Sequence, residues 1–521
     1  MSGCMKLGGA VLCLMALAAA AGCGTRSLTV DWPSWGNTAQ NTHFASIGQV
    51  NVSNVDRLRL AWRRSEGPAQ FSWETFPVVV GRTMYYTTGT DEVVAVDAAT
   101  GSLRWSYQPQ VDFLAGPAAG VLEPVNRGVA VGAGRVYAIT YDDQLLALDA
   151  RTGRRLWDVR VNDPGQGYVE NSPPAYWRGE LILGGPAGDS RLGGFVAAFD
   201  ARTGRRQWRT HTAPAAGPRQ HGGADVWMPP VVDPSAGTVY AATGNPTPAF
   251  NAAGRPGCNR WSDATIALDA RTGRLKWGHT EVCNDSWDYD TDQAPALFDV
   301  RLDGRTVHAV GDGSKAGFYT TLNRRTGALI ARSPELTRYS QPHLVPTRAG
   351  SVVCPGIYGG LEYGPAAYSP RTGDAYVTGI DMCMRYRLFS AAAIRRLAAG
   401  AGGLGGTATP VGPATGVIVS VDPATGTVLW RDPLPRPAAG GTLATAGGLV
   451  FAGDDDGGLY AFDAGTGRVL WRRDLGLRFG SAPIAYQVNG TEFIAVAAGG
   501  SSLRGDGAPG GGELFVFSLP R

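Results

Sequence analysis

One phrase, close to Ala-x-Asp-x-x-Thr-Gly-x-x-x-Trp, recurs along most of this 521-residue chain and constrains its fold more than any other feature. Its complete copies begin at the acidic positions Asp97, Asp149, Asp200, Asp269, Asp422 and Asp463 and end at Trp105, Trp157, Trp208, Trp277, Trp430 and Trp471. A seventh copy, in residues 323–327, lacks the tryptophan. Gaps of 52 and 51 residues separate the first three tryptophans, a spacing typical of one four-stranded propeller blade with its loops.

Each copy predicts a strand, a tight turn and a second strand. The alternating run Val93–Asp97 is typical of a strand, Asp and Thr side chains bond the nearby backbone, and Gly supplies the positive φ of the turn. The tryptophan is expected to pack on the neighbouring blade, where its N–H needs an acceptor. The one helix candidate is residues 391–397, in an insertion that ends in a glycine-rich loop near residues 401–412. We therefore predict an all-β propeller of four-stranded antiparallel blades.

Composition and charge narrow the class of protein. Hydrophobic residues make up 44% of the chain, enough for a large core. The 47 basic and 44 acidic residues nearly cancel, which leaves a formal charge of +3. No electrostatic footprint for nucleic acid or for an acidic membrane stands out from this balance.

The N-terminus has the features of an export signal. Lys6 precedes an apolar run over residues 7–22, too short to span a bilayer, and the run ends at Ala-Ala-Gly-Cys. That ending resembles a bacterial lipobox, in which the cysteine, here Cys23, becomes the lipidated first residue; an ordinary cleaved signal is the alternative. We predict a signal peptide over 1–22, a tether over 23–30 and the propeller over 31–521, in a protein anchored by lipid to the outer face of the cell membrane.

Cysteine usage agrees with export. Two of the seven cysteines fall in the predicted signal and Cys23 is the lipid candidate, which leaves Cys258, Cys283, Cys354 and Cys383. In an oxidising compartment these four can pair completely, and the sequence-adjacent pairing, Cys258 with Cys283 and Cys354 with Cys383, is the simplest of three connectivities. Zinc is the alternative, although no C-x-x-C spacing occurs and the six histidines are scattered.

The repeated phrase resembles the tryptophan-docking motif of the alcohol dehydrogenases that depend on pyrroloquinoline quinone (PQQ). Residues 31–36 and 60–62, Asp-Trp-Pro-Ser-Trp-Gly and Leu-Ala-Trp, resemble that family's N-terminal entry. The similarity covers nearly all of residues 31–521. It implies an eight-bladed propeller whose last blade is closed by strands from both termini, such as residues 514–517.

Asp288 and Asp290 stand in the segment Ser-Trp-Asp-Tyr-Asp. If this segment is extended, both carboxylates project from one face and suit a hard cation, although acidic pairs in loops are usually only solvated. The Trp-Asp-Tyr context resembles the family's catalytic segment, which implies that Asp288 is the general base that takes the alcohol's proton. An acid at the position of Asp290 is typical of lanthanide-using members, whereas calcium-using members usually carry a small neutral residue. The resemblance thus implies PQQ together with Ca²⁺ or a lanthanide ion.

Two further positions resemble metal ligands of the family. Asn245, followed by Pro246, matches the metal-binding amide; on its own it would be interpreted as a turn residue. Asp189 falls where the family has a glutamate ligand, with a shorter side chain.

Five residues resemble PQQ contacts. Trp227 aligns with the indole on which the quinone stacks, and the other four are Glu74, Arg127, Ser172 and Lys315. An acidic tricarboxylate needs cations, and a guanidinium is suited to a bidentate grip. In isolation Glu74 and Lys315 would be interpreted as surface charges.

Three positions depart from the family pattern. Glu362 replaces the usual asparagine, and Ala438-Ala439 stand where a Trp-Asn contact is common. Val121-Leu122 occupy the place of a vicinal cysteine pair that many members carry. The resemblance therefore implies a cofactor site with an altered floor and rim.

The leading hypothesis is a dehydrogenase that oxidises an alcohol or polyol by hydride transfer to PQQ. The sequence has no C-x-x-C-H haem site, so the resemblance implies an external electron acceptor, a cytochrome or a quinone. One alternative is a non-catalytic propeller lipoprotein that acts as an assembly or protein-binding scaffold. Another is a sugar or polymer-alcohol dehydrogenase with a wider entrance. Asp189, Asn245, Asp288 and Lys315 favour catalysis, because a scaffold does not need this set.

Overall fold

The computed structural model describes residues 29–67, 71–114, 124–163, 168–185, 192–213, 222–340, 344–390, 392–393, 403–500 and 512–520. The predictions for the signal peptide, for lipidation of Cys23, for Asp189 and for Val121-Leu122 fall outside these residues. Every strand and both disulfides given below lie between residues 29 and 520.

β-Strands organise the described chain into eight sheets of four or five strands, numbered here in chain order. The first four sheets are sheet 1 (Val78–Val80, Thr83–Thr87, Val93–Asp97, Leu103–Tyr107), sheet 2 (Ala130–Gly132, Arg135–Ile139, Gln144–Asp149, Arg155–Arg160), sheet 3 (Ala175–Trp177, Glu180–Gly185, Phe195–Asp200, Arg206–His211) and sheet 4 (Val231–Asp233, Thr238–Thr243, Ala264–Asp269, Leu275–Thr280).

The remaining four are sheet 5 (Ala296–Leu302, Arg305–Gly313, Tyr319–Asn323, Leu329–Arg332), sheet 6 (Ser351–Val353, Ala367–Tyr368, Ala375–Leu388, Gly406–Val421, Val428–Leu434), sheet 7 (Phe44–Ala45, Thr442–Thr445, Leu449–Gly453, Gly458–Asp463, Val469–Asp474) and sheet 8 (Ile484–Val488, Thr491–Ala498, Glu513–Ser518, Arg59–Ser65). Pairing within the sheets is antiparallel, except that Phe44–Ala45 joins sheet 7 as a parallel strand. A two-stranded pair, Gly222–Gly223 with Pro246–Thr247, and two 3-10 turns, Val55–Arg57 and Ala252–Gly254, complete the elements.

The sheets are arranged radially. The first strands of successive sheets contact one another, as those of sheets 1, 2, 3 and 4 do, so these strands line the centre. Hydrophobic clusters are shared by neighbouring sheets; one joins Val93 and Ala95 of sheet 1 to Val136 and Leu146 of sheet 2. This is the β-propeller architecture, and it explains why strands such as Thr238–Thr243 are buried on both faces.

Sheet 8 joins the two ends of the chain. Arg59–Ser65, from the beginning, pairs antiparallel with Glu513–Ser518, from the end. This pairing confirms the prediction that strands from both terminal regions complete one sheet.

The repeated turns confirm the roles predicted for Asp, Thr and Gly in the motif. In the second copy, Asp149 Oδ1 accepts the N–H of Thr152 at 2.9 Å and its hydroxyl at 2.8 Å. Gly153 has a φ of +72°, and a Cβ there would lie 2.6 Å from Trp105 Cε3 of the preceding sheet. Trp105 Nε1 donates to Ala150 O at 3.1 Å. The rings of five docking tryptophans pack in this way on the glycine of the next repeat, as predicted: Trp105, Trp157, Trp208, Trp277 and Trp430. The predicted acceptor is missing for Trp157, whose buried Nε1 has no hydrogen-bond partner among the described residues.

The insertion near residue 400 differs from the prediction. Gly406–Val421 is one long strand paired with Ala375–Leu388, not a glycine-rich loop. Of the predicted helix over 391–397 the structure describes only Ala392 and Ala393, which are helical. Within the described residues no helix is long and apolar enough to cross a membrane.

The two edges of the sheets carry different connections. Because the strands alternate in direction, the first-to-second and third-to-fourth turns of a sheet share one edge. In sheet 2, Ala150 N donates to Gly134 O at 3.0 Å across these two turns, and in sheet 3 Ala201 N donates to Gly179 O at 2.9 Å. We call this edge the turn face. The opposite edge, with the second-to-third turns and the links between sheets, is the loop face.

Candidate active site

The predicted site residues within the described chain all lie at the loop face, near the centre. Six of them lie in the segments that lead into the first strands of sheets 1 to 5: Glu74, Arg127, Ser172, Trp227, Asp288 and Asp290. Two follow the second strands of sheets 4 and 5: Asn245 and Lys315. Since the first strands line the centre, the segments before them converge there. All except Trp227, which is half-buried, are buried.

One side of the site is built around Arg127. Its Nη2 donates to Glu74 Oε2 at 2.6 Å, and its Cζ lies 5.1 Å from the ring centre of Trp227 and 4.6 Å from that of Tyr363. Ser172 Oγ donates to Trp227 O at 2.6 Å, which fixes the backbone that carries the indole. Arg127 Nε and Nη1 are buried and have no hydrogen-bond partner among the described residues. Two unused cationic donors beside an aromatic face fit an acidic, planar ligand.

The other side is built around Lys315. Its Nζ lies 2.8 Å from Asp290 Oδ2, 3.7 Å from Asp288 Oδ2 and 5.5 Å from the ring centre of Trp227. Asn245 N donates to Asp290 Oδ1 at 2.5 Å. Burial lowers the pKa of Lys315, but Asp288, Asp290 and the neighbouring Glu362 together hold it well above its ordinary value. The structure therefore brings both carboxylates, the Asn245 backbone and the ammonium group into one place.

Residues 286–290 do not form the extended segment that would place the Asp288 and Asp290 carboxylates on one face. Asp288 has a φ of +71°, in the left-handed region. The Asp285 carboxylate accepts three backbone N–H groups, from Trp287 at 2.9 Å, from Asp288 at 3.0 Å and from Tyr289 at 3.1 Å. Both carboxylates reach Lys315 because this turn, and not strand alternation, aims them.

Buried contacts brace the turn from behind. Arg255 donates to Asp285 O and, through Nη1, to Asn259 Oδ1 at 2.6 Å. The predicted disulfides are both present: Cys258–Cys283 joins the flanks of this region, and Cys354–Cys383 lies beside Pro355, whose carbonyl accepts the Tyr289 hydroxyl at 2.9 Å. Because the four sulfur atoms form two disulfides, the alternative that these cysteines bind zinc is wrong.

The positions that depart from the family pattern also lie at this site. Glu362 is buried, and both of its carboxylate oxygens lack a hydrogen-bond partner among the described residues. Burial raises the pKa of Glu362 to about 7, while Lys315 lowers it. Asp292 is equally buried, and burial together with Glu362 raises its pKa well above its usual range. Ala438 and Ala439 are buried, each 1% exposed, so no aromatic rim stands there.

The sequence analysis missed several residues of the site. Asp285, Arg255 and Asp292 belong to no repeated phrase. Asp263 is fully buried, and burial and then Asp285 raise its pKa well above its ordinary value. The one local clue is Asp285 itself, since an aspartate just before a turn often accepts the N–H groups that follow it.

The fold and the site define an all-β propeller with a buried axial site that brings together two aspartates, a lysine, an arginine and an indole. The family model described as "Glucose/ethanol/alcohol dehydrogenase, beta-propeller domain" matches residues 32–337, and the model described as "Outer membrane protein assembly factor BamB" matches residues 414–510. The chain is 29% identical to a quinohemoprotein alcohol dehydrogenase of Comamonas testosteroni, over 94% of this chain and 76% of that protein.

Two lanthanide proteins are also similar. The chain is 31% identical to a lanthanide-dependent methanol dehydrogenase of Methylacidiphilum fumariolicum, over 68% of this chain and 65% of that one. The solved structure of a europium-containing methanol dehydrogenase superposes with a TM-score of 0.84 at 28% identity, over 94% of this chain and 98% of that one. The chain belongs to the PQQ-dependent alcohol dehydrogenase family, whose cofactors are PQQ with Ca²⁺ or a lanthanide ion.

Proposed function

We propose that this protein oxidises an alcohol or a related hydroxyl compound, with Asp288 as the base that takes the hydroxyl proton. The observation that carries the proposal is the meeting of Asp288, Lys315 and Arg127 around Trp227 in one buried site. When bound, PQQ supplies a two-electron acceptor and the cation supplies a Lewis acid. Electrons then pass to an external acceptor, a cytochrome or a quinone.

The residues of the site divide this work. Arg127, with two free donors, and Lys315 bind anionic groups of the cofactor, and Glu74 orients Arg127. Trp227 offers a flat apolar surface between them, on a backbone that Ser172 holds in place. Asp288 faces the same space, where burial excludes water and keeps a proton acceptor close to a bound hydroxyl group.

Asn245, Asp288 and Asp290 are the proposed metal ligands, with Asp189 outside the described residues. Oxygen donors of this kind suit a hard cation. With Asp290 the site has two carboxylates, Asp288 and Asp290, beside the single ammonium group of Lys315, and the additional carboxylate favours a trivalent over a divalent ion. We therefore propose a lanthanide as the ion of highest affinity.

The proposal is tested by titration of the purified apoprotein with PQQ and either Ca²⁺ or La³⁺, followed by dye reduction with a panel of alcohols. Asp288→Asn should lower kcat by about 10²–10⁴-fold, since a positioned base contributes that much. The variant should still bind PQQ. Full activity in Asp288→Asn would remove the base from the mechanism.

Asp290→Ala tests the choice of metal. Removing this carboxylate should weaken La³⁺ binding more than Ca²⁺ binding, because the lost Coulomb energy scales with the charge of the ion. We expect a difference on the order of tenfold between the two affinity losses, which corresponds to about 1.4 kcal/mol. Isothermal titration of the PQQ-loaded protein with each ion measures it. Equal losses for both ions would contradict the lanthanide assignment.

The same proposal covers location and architecture. Residues 1–22 are the signal and Cys23 carries the lipid, so the propeller of residues 31–521 lies outside the cell membrane. The eight sheets are its eight blades. Mass spectrometry of the mature protein from its membrane fraction tests the lipid; an unmodified Cys23 would contradict it.

A second candidate, a non-catalytic scaffold, is favoured only by the match of residues 414–510 to an assembly-factor model. It predicts that the apoprotein binds neither PQQ nor a cation. The same titration therefore decides between the two functions.

A further inference from the structure

The turn face carries an uneven distribution of charge. Three third-to-fourth turns, in sheets 2, 3 and 4, share the sequence Ala-Arg-Thr-Gly-Arg. Their six arginines are exposed, and none takes part in an ion pair within the described chain: Arg151, Arg154, Arg202, Arg205, Arg271 and Arg274. We call these the arginine turns.

The arginine turns adjoin one another in space. Arg135 of sheet 2 donates to the carbonyls of Ala201 and Arg202 in the turn of sheet 3, at 2.9 and 3.0 Å. Trp208 of sheet 3 donates to Ala270 O in the turn of sheet 4 at 3.0 Å. Six guanidinium groups therefore occupy one continuous arc of the turn face.

The turn itself does not require arginine. In sheet 1 the equivalent turn has Ala99 in place of Arg151, and Asp97 Oδ1 accepts the Ala99 N–H at 3.0 Å as Asp149 Oδ1 accepts that of Arg151 at 3.2 Å. The glycines have the same conformation, with φ of +73° at Gly101 and +72° at Gly153. Since alanine forms the same turn, folding leaves the guanidinium groups free for another role.

The described chain begins at the same face. Val30 N donates to Gln487 O at 2.9 Å beside the first turn of sheet 8, and Asp31 Oδ1 accepts the Gly81 N–H at 2.8 Å in the first turn of sheet 1. Val30 and Asp31, among the first described residues, therefore lie at the turn face beside sheets 8 and 1. The candidate active site is at the opposite edge.

We propose that the arginine turns are a docking surface for an anionic phospholipid bilayer, which holds the turn face against the membrane and the active-site face away from it. Guanidinium groups bind phosphate in a bidentate manner, and clustered basic residues are attracted to anionic lipid surfaces. The surface goes beyond the proposed lipid anchor and does not depend on it. One aspartate precedes each turn (Asp149, Asp200 and Asp269), so the six arginines leave a local excess of three positive charges. The near-zero net charge of the whole chain conceals this excess.

The test uses residues 29–521, which contain every described strand and both disulfides, in co-sedimentation with vesicles. Phosphatidylcholine vesicles that contain phosphatidylglycerol should bind the protein, pure phosphatidylcholine vesicles should not, and binding should weaken as salt rises above about 0.1 M. The variant R151A/R202A/R271A carries the residue that sheet 1 already uses. It should bind on the order of 100-fold more weakly, since each of the three arginines near an anionic surface contributes about fivefold.

A matched control removes the same charge elsewhere. Arg348, Arg385 and Arg387 are exposed near the loop-face end of strand Ala375–Leu388, and R348A/R385A/R387A should bind vesicles like the parent protein. Equal binding by the turn variant and the parent, or equal binding to both kinds of vesicle, would overturn the proposal. So would binding to polyglutamate without binding to vesicles, which would assign the arc to an acidic protein. The assay needs no cofactor, so its result can be interpreted even if the proposed enzymatic function is wrong.

Discussion

At the scale of residues, the reactive segment is held in a conformation that a side chain disfavours. The φ of +71° at Asp288 costs on the order of 1 kcal/mol in a residue other than glycine. The Asp285 carboxylate offsets this cost by accepting three successive N–H groups. The buried Asp285 side chain therefore both stabilises the unfavourable backbone conformation and sets the direction of the Asp288 carboxylate. This makes Asp285 a positioning residue.

Asp285→Ala tests this role. We expect kcat to fall by about 10²-fold, because small displacements of a reacting group cost that much. Asp285→Asn keeps one acceptor oxygen and should recover part of the loss. Dye-reduction kinetics of the parent protein and of both variants give the three kcat values.

The control for this change is Asp149→Ala. Asp149 caps a similar turn in sheet 2, far from the site, where it accepts the Thr152 N–H and hydroxyl. Its loss should lower the free energy of unfolding and leave kcat unchanged. A kcat that fell equally in Asp149→Ala would show that general destabilisation, not positioning, explains the effect of Asp285.

At the scale of elements, the unit of assembly is one tryptophan packed on one glycine. Trp105 closes on Gly153, and Trp208 closes on Gly273, where a Cβ would lie 2.4 Å from the ring. Such a contact joins two neighbouring sheets, and Trp105 belongs to the hydrophobic cluster that sheets 1 and 2 share. The spacing of the motif therefore sets which sheets become neighbours.

Gly153→Ala should destabilise the protein by about 2–4 kcal/mol, the sum of an unfavourable φ and overpacking against Trp105. Gly134→Ala is a matched control, because Gly134 has the same φ of +72° and nothing within 4 Å of its Cβ position. Gly134→Ala should lower the free energy of unfolding by about 1 kcal/mol, the cost of the unfavourable φ alone. Urea unfolding of both variants gives the difference; equal costs would show that the tryptophan contact contributes nothing.

The motif made the strands and turns of most sheets predictable, because hydrogen bonds of Asp and Thr and the φ of Gly act locally. The long hairpin of Ala375–Leu388 with Gly406–Val421 was not predictable, since its second strand is rich in Gly, Thr and Pro and is held by pairing across the intervening chain. For the site, family resemblance indicated Asp288 and Lys315. The support from Asp285 and Arg255 arises only when separate loops meet.

At the scale of the whole molecule, closure of the ring also buries acidic groups that are not among the predicted site residues. Burial raises the pKa of Asp91, Asp143 and Glu492 to about 7 each. Glu492, in sheet 8, accepts the Val50 N–H at 2.7 Å and so fastens the N-terminal segment to the sheet that closes the ring. Ring closure and proton uptake are thereby linked at this residue.

The direction of the pKa shift of Glu492 on folding determines how the free energy of unfolding depends on pH. A carboxyl whose pKa is raised on folding stabilises the protein fully below its unfolded pKa, and the benefit is lost as pH rises through the folded value. The free energy of unfolding should therefore fall between about pH 5 and pH 8, with Glu492 alone contributing on the order of 2–3 kcal/mol. Glu492→Gln should flatten this slope in urea unfolding, whereas replacement of the exposed Glu335 by Gln should leave it unchanged. An unaltered slope in Glu492→Gln would mean that this carboxyl is ionised in the folded protein and that closure of the ring tolerates its charge.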